Sequence, residues 1–389
     1  MIKKLALAIA IAAIFATGSI AYAEDKGEWS IQLEPMWMDV SGNDVHVGDV
    51  LKGVVDWYYN GVTGTYTRKY GITYEPITLN MKDKLTLRSE ITYKKNQWGL
   101  GLSGWWFNTD ASAGGRVTTP KWTEGTDGIN HWGTYSKNGV RMWDSSIGPV
   151  YNDLEASTYS PVDYQARNDL DVWTVDLFGI RTLAEKKDSH IDMTFGLKLG
   201  SLDNDRNEGQ KMRAYCTNCY IDVLNDVVDK WDNYITLESV SKADYGLMAG
   251  PALGLQGKAK YRGVGLEGML NQSLLIGRVK QSGTWTDIDD IELVYYGTPY
   301  EGYIEGKFPF SKKETHALPV TEAKLKFLFD VTRNVSVGIG GFASIWWNAP
   351  VAPKWSIPGD WTEGEGTGWK LQKNTLVFYG GTLALNVMF

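Results

Sequence analysis

Successive side chains of an extended strand point to opposite faces, so a strand lying between two unlike environments carries two unlike rows of residues. The end of this chain does so over residues 377–389. One row reads Val377, Tyr379, Leu383, Leu385, Val387 and Phe389, broken only by Gly381. The other reads Phe378, Gly380, Thr382, Ala384, Asn386 and Met388. The same period of two returns over residues 29–34, 85–93, 98–106, 173–177, 191–199, 247–255, 264–276, 323–331 and 335–345. Together these make ten segments, most of them near the ~9–11 residues that cross a bilayer when tilted. The expected fold class is therefore all-β, an antiparallel up-and-down barrel of about ten strands.

Composition narrows the alternatives. The chain has 389 residues with 43 Gly, 17 Trp and 21 Tyr, against 2 Cys and 4 His. So few Cys and His argue against a disulfide scaffold and against a Cys/His metal protein. No cofactor and no metal site are expected. A formal charge of -7 lacks the basic footprint that nucleic-acid binding needs.

The N-terminus reads as an export signal. Lys3 and Lys4 precede an apolar run from Leu5 to Phe15, and Ala21-Tyr22-Ala23 supplies the small-x-small cleavage pattern. That run is shorter than the ~20 residues a spanning helix needs. Residues 1–23 are expected to be a signal peptide and residues 24–389 a single barrel domain. Short connections near 94–97, 183–189, 257–263 and 332–334 alternate with long ones near 41–83, 108–167, 202–242, 279–319 and 348–373. Short turns on one side and long outer loops on the other are the pattern of a transmembrane barrel.

In its strand pattern and its terminal Phe389 the chain resembles Gram-negative outer-membrane β-barrels. The resemblance implies location in that membrane, contact with its lipid and lipopolysaccharide, and recognition of Phe389 by the barrel-assembly machinery. If the apolar rows face lipid, the inward charges are Glu34, Glu90, Asp176, Asp192, Glu267 and Asp330 with Arg88, Lys198, Lys324 and Lys326. In so narrow a barrel these should pair across the lumen rather than line a wide channel. Tyr93 and Trp98 are expected at the inner membrane interface. Trp105-Trp106-Phe107 and Trp346-Trp347 are expected at the outer one. Two stretches also echo each other: Lys84-Leu85 through Trp105-Trp106, and Lys324-Leu325 through Trp346-Trp347.

The outer loops are rich in rings, which offer contact area at low entropy cost. Trp122, Trp132, Trp355, Trp361 and Trp369 are candidates for binding an extracellular glycan or peptide. In the third loop Ile221, Leu224, Val228, Trp231 and Ile235 recur at helical spacing, which predicts a short amphipathic helix at the barrel mouth. Cys216 and Cys219 just before it are expected to form a tight disulfide in an oxidising compartment. Asp203-x-Asp205-x-Asn207 lacks the Gly and the distal Glu of a calcium loop and reads as an acidic turn. The functional expectation is a non-enzymatic barrel that binds, adheres or gates a narrow path. The competing class is a rim enzyme, an omptin-like protease or a lipid-modifying hydrolase. His46, His131 and His316 lie in outer loops, but no Gly-x-Ser-x-Gly nucleophile motif accompanies them.

Overall fold

The structure is a computed structural model that describes residues 27–117, 123–126, 131–142, 158–221, 226–356 and 368–389. The expected signal peptide therefore lies outside the described residues, as do Trp122 and Trp361. Every element among the described residues is a strand. They run β1 (Glu28–Ser41), β2 (Val45–Asn60), β3 (Thr65–Leu79), β4 (Lys84–Lys95), β5 (Trp98–Val117), β6 (Thr123–Thr126), β7 (His131–Met142) and β8 (Thr158–Lys186). There follow β9 (Ser189–Ile221), β10 (Asp226–Tyr245), β11 (Met248–Tyr261), β12 (Val264–Tyr295), β13 (Thr298–Asp330), β14 (Val335–Ser356) and β15 (Gly368–Met388).

Ten of these close a ring of antiparallel neighbours. The order is β1, β4, β5, β8, β9, β11, β12, β13, β14, β15 and back to β1. All ten segments marked by their period of two are in it. The seam pairs Ile31 with Val387 and Leu33 with Leu385, and Phe389 and Trp29 exchange two backbone hydrogen bonds. Two-residue turns join hairpins on the short side. Arg262-Gly263 turns with both residues at positive φ, the geometry that suits the twist of paired strands.

The described parts of the long connections are strands. β12 and β13 are 32 and 33 residues long and pair along their whole length, from Val264–Phe329 to Tyr295–Thr298. At ~3.4 Å per residue each reaches about 100 Å, several times the ~25 Å apolar band of a membrane barrel. The helix expected in the third loop is absent. Residues 226–245 form β10, bonded to β9 on one edge and to β12 on the other. The two tall neighbours present open edges, and pairing both outweighs a local helical period. Val228, Trp231, Leu293 and Tyr295 pack there as a small separate cluster. β10 and β11 act as one interrupted strand, since Gly246-Leu247 forms a bulge that leaves both Tyr245 and Met248 facing inward.

Cys216 and Cys219 both lie in β9, and their side chains fall outside the described residues. Asp203, Asp205 and Asn207 also lie in β9, so they form a row on a strand and not a turn.

The first long connection is a hairpin of β2 and β3. It joins β7 and β6 from the second to make a four-stranded outer sheet. Val45, Val47, Ile77 and Leu79 at its base are buried in the core of the barrel, so this hairpin roofs the lumen. The fifth connection turns inward. Asn348 adopts positive φ, the β14 register slips across it and again between Val351 and Lys354, and Ala349, Val351 and Ala352 become fully buried. Tyr245 Oη donates to Pro350 O (2.7 Å), Gln281 Nε2 to Val351 O (2.7 Å), and Ala352 N to Asn204 Oδ1 (2.8 Å). The outer end of β14 thereby crosses the mouth.

The side-chain rows separate as expected. Leu100, Leu177, Phe195, Leu253, Leu266, Leu325, Phe327, Ile339 and Leu383 are exposed on the outside of the ring. Glu34, Arg88, Lys198 and Lys326 are buried inside it. A charge placed on the outer row should cost about 2–4 kcal/mol if that row meets hydrocarbon, and close to nothing above it. We expect Leu325→Arg to lower stability by that amount in reversible urea unfolding from lipid vesicles, and Tyr303→Arg to leave it unchanged. Equal effects of the two substitutions would contradict a lipid-facing row.

Candidate functional site

The lumen has three levels, each set by which residue of a strand falls on the inward parity. The lowest is polar. Asp192 accepts from Lys94 Nζ (3.0 and 3.2 Å) and from Thr182 Oγ1 (2.8 Å) near the short-turn mouth, and Ser30 Oγ donates to Asn386 Oδ1 (2.8 Å).

Above this lies a dense charge network. Arg88 donates to Glu34 (2.9 Å) and Glu90 (2.7 Å). Lys324 stands 3.0 Å from Glu267 and 3.6 Å from both Glu34 and Glu90. Lys326 bonds Glu34 and lies 2.9 Å from Glu267. Lys198 Nζ donates to Asp176 Oδ2 (2.7 Å) and to Glu322 Oε2 (2.9 Å). Desolvating so many ions is costly, and only mutual pairing of this density makes it tolerable. The structure thus brings eight of the lumen charges read from the sequence into this network and places a ninth, Asp192, nearer the mouth. Asp330 is the exception: it is exposed and paired with Lys260 at the short-turn rim, because its strand ends there. Glu322 and Lys94 were missed. Each sits on the inward parity of its strand, which is the signal that could have found them.

The third level is an aromatic seal. Trp105, Phe107, Phe342, Trp346 and Phe378 are all buried, with ring centroids 5.6–6.2 Å apart around Phe378 and 5.7 Å between Trp105 and Phe342. Met36, Met38, Leu275 and Leu318 fill the space about them. This corrects the expectation that both Trp pairs mark the outer interface. Adjacent strand residues face opposite ways, so Trp106 and Trp347 turn outward while Trp105 and Trp346 close the lumen. The echoed stretches supply one seal Trp each.

Of the candidate binding rings, Trp355 and Trp369 come together with centroids 5.4 Å apart. Trp355 stacks on Trp285 (5.2 Å, 6°), Trp369 on Phe310 (6.2 Å), and Trp369 Nε1 donates to Phe308 O (3.1 Å). They form a ring cluster where β14 crosses the mouth, with Phe308 exposed at its margin. Trp132 lies in β7, but its side chain falls outside the described residues. The imidazoles are scattered. His46 bonds Asp49 (3.0 Å), His190 stands 3.6 Å from Asp192, and His316 bonds Asn348 O (3.1 Å).

Outside the apolar band, Asp171 on β8, Asp203 on β9 and Asp244 on β10 stand side by side in register. Burial, together with these neighbouring carboxylates, pushes Asp203 up to about 6, against the pull of Lys242. The folded state therefore holds a proton there that the unfolded chain releases at lower pH. Stability from this group falls as pH rises between about 4 and about 6 and is level above. We expect Asp203→Asn to remove that component. The check is the urea midpoint of both proteins at pH 4 and pH 7, where an identical pH dependence would refute the assignment.

No protein-family profile matches the chain, and no curated protein matches it. Solved structures do match. The outer membrane protease OmpT from Escherichia coli is 11% identical with a TM-score of 0.37, over 96% of this chain and 100% of that one. The transport unit of the autotransporter AIDA-I from Escherichia coli is 9% identical with a TM-score of 0.23, over 97% of each chain. The Pseudomonas putida toluene transporter TodX is 5% identical with a TM-score of 0.22, over 95% of this chain and 92% of that one. At likenesses this low no residue role passes from those proteins to this chain.

Proposed function

We propose that this protein is an integral β-barrel of the Gram-negative outer membrane. Its lumen is closed, and its tall outer structure, not a pore, carries its activity. The observation that supports this most is the pairing of an exposed apolar outer row with a charged inner row around a closed ring. Among sheets, only a closed ring satisfies every backbone group in hydrocarbon. The export-signal pattern of residues 1–23 and the place of Phe389 at the seam support a reading of export and insertion by the assembly machinery, with lipid and lipopolysaccharide around the apolar band.

Two features argue for binding over conduction. The aromatic seal and the inward turn of β14 block the lumen at successive heights. Trp285 and Trp355 are buried in the ring cluster at the outer mouth, where they hold the half-buried Trp369 and the exposed Phe308 against which a glycan or an extended peptide could stack. The rim-hydrolase alternative has no comparable support, since the described imidazoles share no partner and converge on no common site.

In planar bilayers the purified barrel should show little or no conductance. Stable nanosiemens openings would overturn a closed lumen. On a glycan array, binding should be lost on joint Trp355→Ala and Trp369→Ala substitution, with conductance unchanged. Retained binding would return these rings to a scaffolding role.

A further inference from the structure

The charged lumen is short of one positive charge, and the shortfall is local. Glu34, Glu90 and Glu267 face Arg88, Lys324 and Lys326, three acids against three bases. Beside them, Lys198 alone faces both Asp176 and Glu322. Glu322 is fully engaged: Oε2 takes Lys198, while Oε1 takes Trp105 Nε1 (3.0 Å) and Ser344 Oγ (3.4 Å). Asp176 is not. It is 5% exposed, its Oδ2 takes Lys198, and its Oδ1 is buried with no donor.

A cavity of about 20 Å³ lies against this carboxylate, lined also by Asn271, Gln256, Arg88 and Glu90. Asn271 Oδ1 is likewise buried without a donor. Two acceptors thus border one small space in which neither finds a hydrogen. Two carboxylates sharing a single ammonium away from bulk water do not both stay ionised; one takes a proton.

We propose that Asp176 is a proton-binding site, at which Asp176 and Glu322 share one exchangeable proton carried on Asp176 Oδ1. The surrounding elements offer no other counter-charge. β4 brings Arg88, spent on Glu34 and Glu90. β9 brings Lys198, already shared, and β13 brings Glu322 beside Lys324, which is held by Glu34, Glu90 and Glu267. β5, β11 and β12 contribute the neutral Ser103, Gln256 and Asn271.

The site is linked to the seal. Glu322 holds Trp105 directly, and Ser344, which donates to Glu322, accepts from Trp346 Nε1 (3.1 Å). Release of the proton puts a second full negative charge beside Glu322, with only Lys198 between them. The two seal tryptophans therefore sense the protonation of Asp176, whatever the outer surface binds.

The test is infrared difference spectroscopy of the full barrel in detergent micelles, paired with tryptophan emission over a pH series. The wild type should show the C=O band of a protonated carboxyl at neutral pH. The band should vanish in alkali together with a shift in emission. Asp176→Asn, neutral and of the same shape, should lack the band and hold its emission constant across the series. Lys198→Met gives an independent check, because both acids must then be neutral and the band should grow. The proposal fails if the neutral-pH band is missing, or if it survives in Asp176→Asn. It fails equally if emission follows sodium but not choline at constant ionic strength, since a bound metal cation would then supply the charge.

Discussion

Closure of the β1–β15 seam governs everything else in this molecule. An open sheet would leave a row of unpaired N–H and C=O groups on each edge, and hydrocarbon offers them no partner. The seam runs from Ser30–Met388 to Ser41–Val377, so the first and last strands of the ring are its mutual caps. Once that ring is closed, the parity of each strand is fixed. Parity then decides which residues face out of the ring and which meet one another inside.

What the ring encloses is not a channel with a polar wall. The interior is too narrow for side chains to avoid each other, so it must be filled. Low in the barrel the filling is ionic, where each Lys or Arg is surrounded by carboxylates. Higher up it is aromatic. Glu322 joins the two levels, one oxygen on Lys198 and the other on Trp105. A polar network under an apolar lid is a high-stakes arrangement, because a network only partly satisfied costs more than an apolar core would. The orphaned oxygen of Asp176 is the place where this one is incomplete.

Outside the apolar band the same strands continue as a tall palisade. β9, β10, β12 and β13 remain paired there, so the outer structure is built by hydrogen bonding between neighbours and not by independent loops. This explains how the described outer residues can stand beyond the ring's apolar band and still be ordered by it. β14 departs from the pattern by folding across the mouth, which sets Trp355 against Trp285.

The sequence by itself determined the ten ring strands, their inward and outward rows, and most of the lumen charges. Those follow from a period of two that each segment carries alone, as in Val377 to Phe389 or Ala323 to Val331. It misled where a local pattern competed with distant partners. Ile221 to Ile235 has helical spacing, yet the open edges of β9 and β12 made residues 226–245 a strand. Trp105 and Trp346 looked like girdle residues because their place at a strand end was weighed above the parity of the strand, which turns Trp106 and Trp347 outward and these two inward. Only the tertiary structure decided that Glu322 completes a triad with Asp176 and Lys198, that those two tryptophans seal the lumen, and that β2 and β3 roof it. Each of these joins residues far apart in the chain, and their distances exist only after the ring has closed.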